Sequence, residues 1–415
     1  MSEVLAEPPA DTETDRAAPL PRDWRPLLAA FFVGWVFMYA DRSVLSPVIG
    51  EIRSEFNVSL TQIGWLTSAF FLAYAVMQVP FGIVSERVGR KRLLVAGFVT
   101  FGVSTAASGL VGDFALLVAL GVVTGIGQAT YYPTQFSISA ETIPRRGRAF
   151  GLAIINNGMA VGVAGGTIIA TWLAFGLGLG WRTSLVMMGL LTLVAAAGMA
   201  ILVWEPRRAS ATQRAPLSAS LSTPQLATYA AAFCSLFGFF VILVWLPYYL
   251  QTSRALTLMD AGFVAAAAAL PAIPSSLVLA RWSDRTGARR LPVYLLFGTS
   301  ALALTGIAVV PTFELLLVCL VVYGLAGKLV ADPLLVAHLA DITEPRAYSM
   351  TYGIFNFAGM AASVVAPIAA ALLAEYTGDI APAFAMASAL LVMGALILWR
   401  WGSSQVATPA RVAVS

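Results

Sequence analysis

Apolar runs long enough to cross a membrane recur along almost the whole chain. They lie at about 27–49, 62–84, 93–112, 114–138, 149–172, 181–204, 225–250, 258–280, 291–310, 313–337, 350–374 and 381–399. A membrane-spanning helix needs roughly 20 apolar residues, and it satisfies its own backbone hydrogen bonds inside the bilayer. The sequence therefore predicts an all-α integral membrane protein with twelve transmembrane helices.

The composition excludes the soluble classes of protein. Of the 415 residues, 59% are hydrophobic and 11% are charged, whereas soluble domains carry about 25% charged residues. A soluble enzyme and a nucleic-acid-binding protein are thereby ruled out. Cys234, Cys319 and the single histidine, His338, do not have the spacing of a disulfide framework or a metal site. The phosphate-binding loop typical of ATP-driven transport is missing from the sequence as well. We expect no metal, no cofactor and no catalytic residues.

The distribution of basic residues predicts the orientation in the membrane. Twenty of the 25 Lys and Arg residues fall in the tails and loops on the side of the N-terminus, and three fall in loops on the opposite side. Cytoplasmic loops carry the excess of positive charge, so both termini are expected in the cytoplasm and the protein in the cell inner membrane. Residues 1–24 lack the order of a signal peptide and are expected to form a disordered cytoplasmic tail, with a second tail at 402–415.

The chain contains an internal duplication. A polar stretch at 205–224, expected to be a cytoplasmic linker, separates six spans in 25–204 from six spans in 225–401. The segment 82–92 recurs at 280–290, and Gly127-Gln128 recurs as Gly327-Lys328, 200 residues later. Two like halves predict two pseudo-symmetric six-helix bundles with a transport site between them.

The repeated loop also carries a family resemblance. Gly82-x3-Glu86-Arg87-x-Gly89-Arg90-Lys91-Arg92 resembles the signature between helices 2 and 3 of the major facilitator superfamily, with Glu86 in place of the usual Asp. Tyr39-Ala40-Asp41-Arg42 is similar to helix 1 of its anion:cation symporter group, which carries sugar acids and other organic anions. The resemblance covers about residues 25–400 and implies the major facilitator fold. Helix 4 of that group often carries Arg and Glu, but the corresponding stretch here runs from Gly121 to Gln128 without either.

Four charged residues lie well inside the predicted spans, and charge at that depth is a functional hypothesis by default. They are Asp41, Arg42, Lys328 and Asp332. The planar guanidinium of Arg42 suits recognition of a carboxylate, and Asp41 is the expected carrier of a coupling proton. Asp332 is the second candidate carrier, disfavoured because Lys328 lies one helical turn away. Both pairs also have a purely structural interpretation, as buried charges that neutralise each other and lock helices together.

Polar and aromatic residues in the spans supply further candidates for the substrate site. Besides Arg42 and Lys328, the predicted substrate-binding residues are Tyr39, Tyr74, Gln78, Gln128, Tyr131, Asn156, Asn157, Trp245, Tyr248, Tyr352 and Asn356. Six charged loop residues are predicted to gate the cytoplasmic side: Glu86, Arg87, Arg90, Asp284, Arg285 and Arg289. The alternative for the loop arginines is that they only fix the topology.

These features predict a secondary active transporter that works by alternating access. The leading hypothesis is proton-coupled import of a small organic anion by a monomer embedded in the lipid bilayer, with no nucleic-acid partner. The alternative is a proton-driven exporter of a drug or metabolite from the same superfamily. Such an exporter needs a titratable acid but no central anion-binding arginine, so Arg42 favours the anion importer.

Overall fold

The computed structural model describes residues 25–143, 148–205, 217–286, 288–343 and 347–402. Within these ranges, eleven helical segments are long and apolar enough to cross a membrane. The remaining predicted span, at 93–112, is also helical, and it is less apolar because its first turn carries Arg90, Lys91 and Arg92. The two predicted disordered tails and residues 206–216 of the predicted linker lie outside the described residues.

Eight helices form the N-terminal half. They are α1 (Arg25–Val44), α2 (Ile49–Phe56), α3 (Leu60–Val88), α4 (Arg90–Ser108), α5 (Phe114–Ala129), α6 (Tyr131–Thr142), α7 (Arg148–Thr171) and α8 (Gly180–Leu202). A short 3₁₀ turn at Ser46–Val48 joins α1 to α2, so the two helices together form the first span. The α5–α6 pair forms the fourth span.

Eight further helices form the C-terminal half. They are α9 (Thr223–Thr252), α10 (Leu258–Ala267), α11 (Ala272–Thr286), α12 (Arg290–Val309), α13 (Phe313–Ala326), α14 (Lys328–Asp341), α15 (Tyr348–Thr377) and α16 (Ala381–Trp401). The α10–α11 pair forms the eighth span and the α13–α14 pair forms the tenth.

The packing pairs of one half repeat in the other. In the N-terminal half α1 packs on α7 and α4 on α8; in the C-terminal half the equivalent pairs are α9 with α15 and α12 with α16. The halves meet where α3 packs on α15 and where α7 packs on α10, which are equivalent pairs under the same exchange of halves. The contacts therefore follow a pseudo-twofold relation, as the 198–200 residue repeat predicted. We call the end of the bundle that holds Arg25 and Gly402 the proximal end, and the opposite end the distal end.

Three glycines of α7 allow close approach of α1. A Cβ atom at Gly158, Gly162 or Gly166 would meet the carbonyl oxygen of Phe32, Val36 or Ala40, respectively. The GxxxG-type spacing in α7 thus places backbone against backbone along most of α1. The contact at Ala40 fixes the depth and rotation of the next two residues, Asp41 and Arg42.

The fourth and tenth spans, which occupy equivalent places in the two halves, are both interrupted near the middle. The fourth span breaks at Thr130, between α5 and α6, and the tenth breaks at Gly327, between α13 and α14. Gly327 has extended backbone torsions (φ −68°, ψ −169°). Pro333 lies inside α14, about one and a half helical turns beyond this break. Lys328 is consequently the first residue of a helix that begins inside the bundle.

Candidate functional site: two buried charge pairs

Asp41 and Arg42 lie near the end of α1, and their side chains are buried against three neighbouring helices. Their exposed fractions are 6% and 8%. Asp41 Oδ1 accepts a hydrogen bond from Thr105 Oγ1 on α4 at 2.6 Å, and Oδ2 accepts one from Gln128 Nε2 on α5 at 2.6 Å. Both carboxylate oxygens therefore have donors, as a buried carboxylate requires.

Gln128 connects the two charged residues of α1. Its amide nitrogen donates to Asp41, and its Oε1 accepts from Arg42 Nε at 2.9 Å. Successive residues on a helix point about 100° apart, so Asp41 and Arg42 cannot pair face to face. The fully buried amide of Gln128 bridges that angle and turns two separate charges into one network.

The rest of the Arg42 guanidinium lies among aromatic rings. Its Cζ is 4.4 Å from the ring centroid of Tyr74 and 4.9 Å from that of Tyr39. Phe71 and Phe70 lie at 5.6 and 6.0 Å. Cation–π contacts of this kind stabilise a desolvated guanidinium without using its N–H groups. Arg42 Nη2 makes no hydrogen bond to any described residue, so it remains a buried donor aimed at no protein acceptor.

A cavity borders this network on the distal side of the N-terminal half. Asp41 and Arg42 lie in its wall, and the other polar wall residues are Ser46, Thr67, Thr105, Ser108 and Thr124. The charged pair therefore adjoins empty space and is not packed by protein on all sides.

The second charge pair lies on α14, in the other half. Lys328 Nζ is 3.4 Å from Asp332 Oδ2, one turn along the helix, and Lys328 is 7% exposed. Asp332 Oδ1 has no hydrogen-bond partner among the described residues. This carboxylate is thus only half satisfied, in contrast to that of Asp41.

Aromatic residues join the two charge pairs across the interface between the halves. Tyr39, which stacks on Arg42, contacts the ring of Phe239 on α9 at 6.2 Å between centroids. Lys328 Nζ lies 5.5 Å from the centroid of the same Phe239 ring. The cations of the two halves therefore lie on either side of one aromatic pair, Tyr39 and Phe239. The sequence did not predict this arrangement, because nothing in the local pattern around Phe239 indicates a contact with the other half.

Three of the remaining predicted lining residues, Asn356, Gln78 and Asn157, take part in hydrogen bonds between the halves. Asn356 Nδ2 on α15 donates to Gln78 Oε1 on α3 at 2.6 Å. Asn157 Oδ1 on α7 accepts from Ser276 Oγ on α11 at 3.3 Å. Asn156 is half-buried with Oδ1 unpaired among the described residues, and Tyr352 is half-buried on α15. The structure thus brings a set of polar side chains to the contact between the bundles.

Three other predicted lining residues lie away from the charge pairs. Tyr131 is fully buried, donates its hydroxyl to the Phe31 carbonyl and packs on Trp35, inside the N-terminal half. Trp245 is fully buried on α9 and forms a T-shaped contact with Tyr248. Tyr248 reaches the distal end instead, where its hydroxyl accepts from Arg53. These contacts account for the burial of the three aromatic side chains, and their role in substrate binding stays a prediction.

The predicted gating residues lie at the proximal end. Arg87 and Arg285 are exposed. The backbone N–H of Arg90 donates to Glu205 Oε1 at 3.1 Å, and Arg289 Nε is 3.4 Å from Asp341 Oδ2. These two contacts stay within one half each. The side chains of Glu86 and Asp284 lie outside the part of the chain that the structure describes, so their pairing remains a prediction.

The distal end holds a set of contacts between the halves that the sequence did not reveal. Glu375 at the end of α15 accepts hydrogen bonds from Thr61 N at 2.8 Å and Thr61 Oγ1 at 2.7 Å, at the start of α3. Further bonds across the halves join Ser46 Oγ to the Val244 carbonyl, Ser68 Oγ to the Val364 carbonyl, Arg53 to Tyr248, and Gln251 to the Pro47 carbonyl. Hydrogen bonds thus hold the two halves together at this end.

Two six-helix halves, each with a buried pair of charged residues inside its spans, define a multi-pass membrane transporter. A family model described as the Major Facilitator Superfamily matches residues 31–291 and 228–412, and the chain belongs to that superfamily. Its members are transporters and not enzymes, as the composition and fold predicted.

Several of the similar proteins are named as transporters of sugar acids. The chain is 26% identical over 416 residues to the D-galactonate transporter of Escherichia coli O6:H1, covering 89% of this chain and 93% of that protein. It is 25% identical over 415 residues to the probable galactarate/D-glucarate transporter of Escherichia coli K12, covering 88% and 92%. These relatives agree with the resemblance to the anion:cation symporter group.

A solved structure has the same fold. It is described as a bacterial homologue of the human lysosomal transporter Spinster in an inward-facing and occupied conformation. The TM-score is 0.72 at 17% sequence identity, with 92% of this chain and 96% of the other covered. The match confirms the predicted major facilitator fold.

Proposed function

We propose that the protein is a proton-coupled importer of a small organic anion, working by alternating access between the two halves. One observation carries the proposal: Arg42 is buried and charged, and its Nη2 has no acceptor among the described residues. A guanidinium N–H that is desolvated and unpaired is costly unless a ligand supplies the acceptor. A carboxylate is the matching ligand for a planar guanidinium. The names of the relatives support the same class of substrate.

The proton follows from the charge balance of the buried network. Asp41 and Arg42 sum to zero when the site is empty, and an arriving carboxylate adds one negative charge. A low-dielectric interior disfavours that surplus charge, so Asp41 takes a proton when the anion engages Arg42. Gln128 cannot titrate; it transmits the change as a hydrogen bond, because its oxygen and nitrogen contact the two partners separately. Anion and proton then load together, which is symport.

Alternating access requires the contacts at the two ends of the bundle to form and break in turn. In the conformation described here the distal end is held by Glu375 with Thr61 and the neighbouring bonds. For the proximal end we assign gating to the acidic and basic residues of the two repeated loops, Glu86 with Arg87 and Asp284 with Arg285. The orientation that places this end in the cytoplasm rests on the bias of basic residues.

Uptake into liposomes tests the proposal. The purified full-length protein is reconstituted, and labelled mono- and dicarboxylates, including sugar acids, are offered with and without an acidic external pH. We expect accumulation of at least one carboxylate that the pH gradient accelerates and that a proton ionophore abolishes. Uptake restricted to cationic drugs, or carboxylate uptake that ignores the pH gradient and the ionophore, would contradict it.

The expected orientation has its own measurement. Tags at the two termini of the protein expressed in intact cells should become accessible to antibody or protease only after the membrane is permeabilised. Accessibility of either terminus from outside would overturn the assignment of the proximal end to the cytoplasm.

A further inference from the structure

The C-terminal half carries a cation at the position where the N-terminal half carries Gln128. Gly327-Lys328 repeats Gly127-Gln128 at a distance of 200 residues, and both positions lie beside the break in their span. Gln128 is used entirely by Asp41 and Arg42. Among the described residues, the acid that pairs with Lys328 is Asp332, which lies on the same helix.

Lys328 lies in a cavity between the two halves. This cavity is bounded by α7 on one side and by α9, α10 and α13 on the other, and Val163, Thr167, Phe239, Tyr323 and Gly327 are among its wall residues. No side chain caps the N-terminus of α14, and the backbone of Gly327 turns away from the helix. The positive end of the α14 dipole therefore adds to the charge of Lys328 at the same wall.

Arg42 and Lys328 approach each other from opposite halves. Both contact the Tyr39–Phe239 pair, Arg42 at 4.9 Å from the ring of Tyr39 and Lys328 at 5.5 Å from the ring of Phe239. Two buried like charges converging on one aromatic cluster stabilise a ligand that carries negative charge at both ends.

The state of each cation favours ligand binding. Arg42 leaves Nη2 unpaired, and the Lys328–Asp332 contact is long for a charge-assisted hydrogen bond, which is typically about 2.7–2.9 Å. Lysine placed before an acid at this spacing is also the weaker order on a helix. A second anionic group can therefore replace Asp332 as the partner of Lys328 at a small cost in free energy.

Building on the proposed anion importer, we infer that Lys328 is a specificity-determining residue that binds a second anionic group, so that the transporter selects dicarboxylates over monocarboxylates of equal length. Arg42 binds one carboxylate from the N-terminal half and Lys328 binds the other from the C-terminal half. A ligand bound in this way spans the distance between the two halves and contacts both of them. Charge balance then requires one proton for each carboxylate, on Asp41 and on Asp332.

A matched pair of probes separates this inference from the function it rests on. Gluconate and glucarate have six carbons each and differ by one carboxylate. Their affinities for the full-length protein are measured by calorimetry in lipid nanodiscs at one acidic pH, for the wild type and for Lys328→Gln, Lys328→Arg and Arg42→Gln. We expect the wild type to bind glucarate more tightly, and the glucarate-to-gluconate affinity ratio to fall roughly tenfold or more in Lys328→Gln. Lys328→Arg keeps the charge and should keep most of the ratio.

The variants distinguish the two ways of failing. If Lys328→Gln leaves the ratio unchanged, or if the wild type does not prefer glucarate, Lys328 does not select the second carboxylate and this inference is wrong. If Lys328→Gln is too unstable to measure, Lys328→Arg decides: the ratio must persist there, and its collapse overturns the inference. The proposed function fails separately if Arg42→Gln binds both probes as the wild type does, or if the wild type binds neither.

Discussion

Gln128 and Lys328 occupy the same position in the two halves of the molecule and are used in opposite ways. Gln128 is neutral and fully buried, and both its amide oxygen and its amide nitrogen are hydrogen-bonded, because it bridges an acid and a base on another helix. Lys328 is charged, pairs with an acid on its own helix and leaves one oxygen of that acid unpaired. The duplicated fold supplies two equivalent positions beside the breaks in the fourth and tenth spans. The side chain at each position decides whether it connects neighbouring helices, as Gln128 does, or is available to bind a ligand, as we infer for Lys328.

The comparison also explains why the two charge pairs should respond differently to mutation. Asp41 and Arg42 make three hydrogen bonds to two residues on two other helices, so loss of any member leaves a buried charge uncompensated, which costs about 3–5 kcal/mol. Asp332 is 28% exposed, and part of that cost is relieved by solvent. Four measurements, in decreasing order of expected effect, can sharpen or break this contrast.

The largest effect is expected at Arg42. Arg42→Lys keeps the charge but loses the planar group that reaches Gln128 and the substrate together. We expect carboxylate uptake to fall roughly 100-fold, equivalent to the loss of about 3 kcal/mol of charge-assisted bonding. Arg400→Lys, at the end of α16 and distant from the site, serves as the control and should retain wild-type uptake. Normal uptake by Arg42→Lys would remove Arg42 from the substrate site.

The next effect is expected at Gln128. Gln128→Leu removes one hydrogen bond from each of two buried charges, which predicts a loss of roughly 3 kcal/mol of stability. Gln135 is also a buried amide in the fourth span. Its Nε2 donates a hydrogen bond to Ser139 Oγ, and its Oε1 is unpaired among the described residues. The melting temperature in detergent and the uptake rate should drop more for Gln128→Leu than for Gln135→Leu. Equal losses would show that the Gln128 bridge contributes no more to stability and transport than another buried amide of the same span.

A smaller effect is expected at the distal contact. Glu375→Gln weakens the two bonds from Thr61, which are exposed and therefore worth about 1 kcal/mol together. The balance between conformations should shift about fivefold toward the state with the distal end open. Labelling of a cysteine introduced in the distal cleft measures the shift, with Glu314→Gln, in the first turn of α13, as the matched control. Unchanged labelling would show that Glu375 is not part of a gate.

The smallest effect on binding is expected at the proximal loops. Glu86→Gln or Asp284→Asn should slow turnover several-fold while leaving substrate affinity nearly intact, because these residues lie in the last turns of α3 and α11, away from the buried charges. Single-turnover and steady-state uptake measured on the same liposomes separate the two quantities. Changed affinity with unchanged turnover would argue that the loops act on the binding site.

The sequence predicted the features of this fold that depend on single segments. Apolar length gave the spans, the repeat offset gave the two halves, and Asp41, Arg42, Lys328 and Asp332 stood out because charge is rare in a bilayer. The contacts between helices that cross one another could not be predicted from the sequence. Thr105 looks like any threonine of an apolar helix, and its bond to Asp41 depends on where α4 crosses α1. Thr61 and Glu375 are separated by 314 positions, and no local pattern joins them.

Proton coupling through Asp41 is the central claim, and one comparison tests it most directly. Asp41→Asn and Asp332→Asn are reconstituted beside the wild type, and uptake of a labelled monocarboxylate is measured both as pH-driven accumulation and as exchange against internal substrate. Asparagine mimics the protonated acid, so Asp41→Asn should exchange substrate but fail to accumulate it against a gradient, while Asp332→Asn still accumulates it. Accumulation by Asp41→Asn together with its loss in Asp332→Asn would contradict the account and assign the coupling proton to α14.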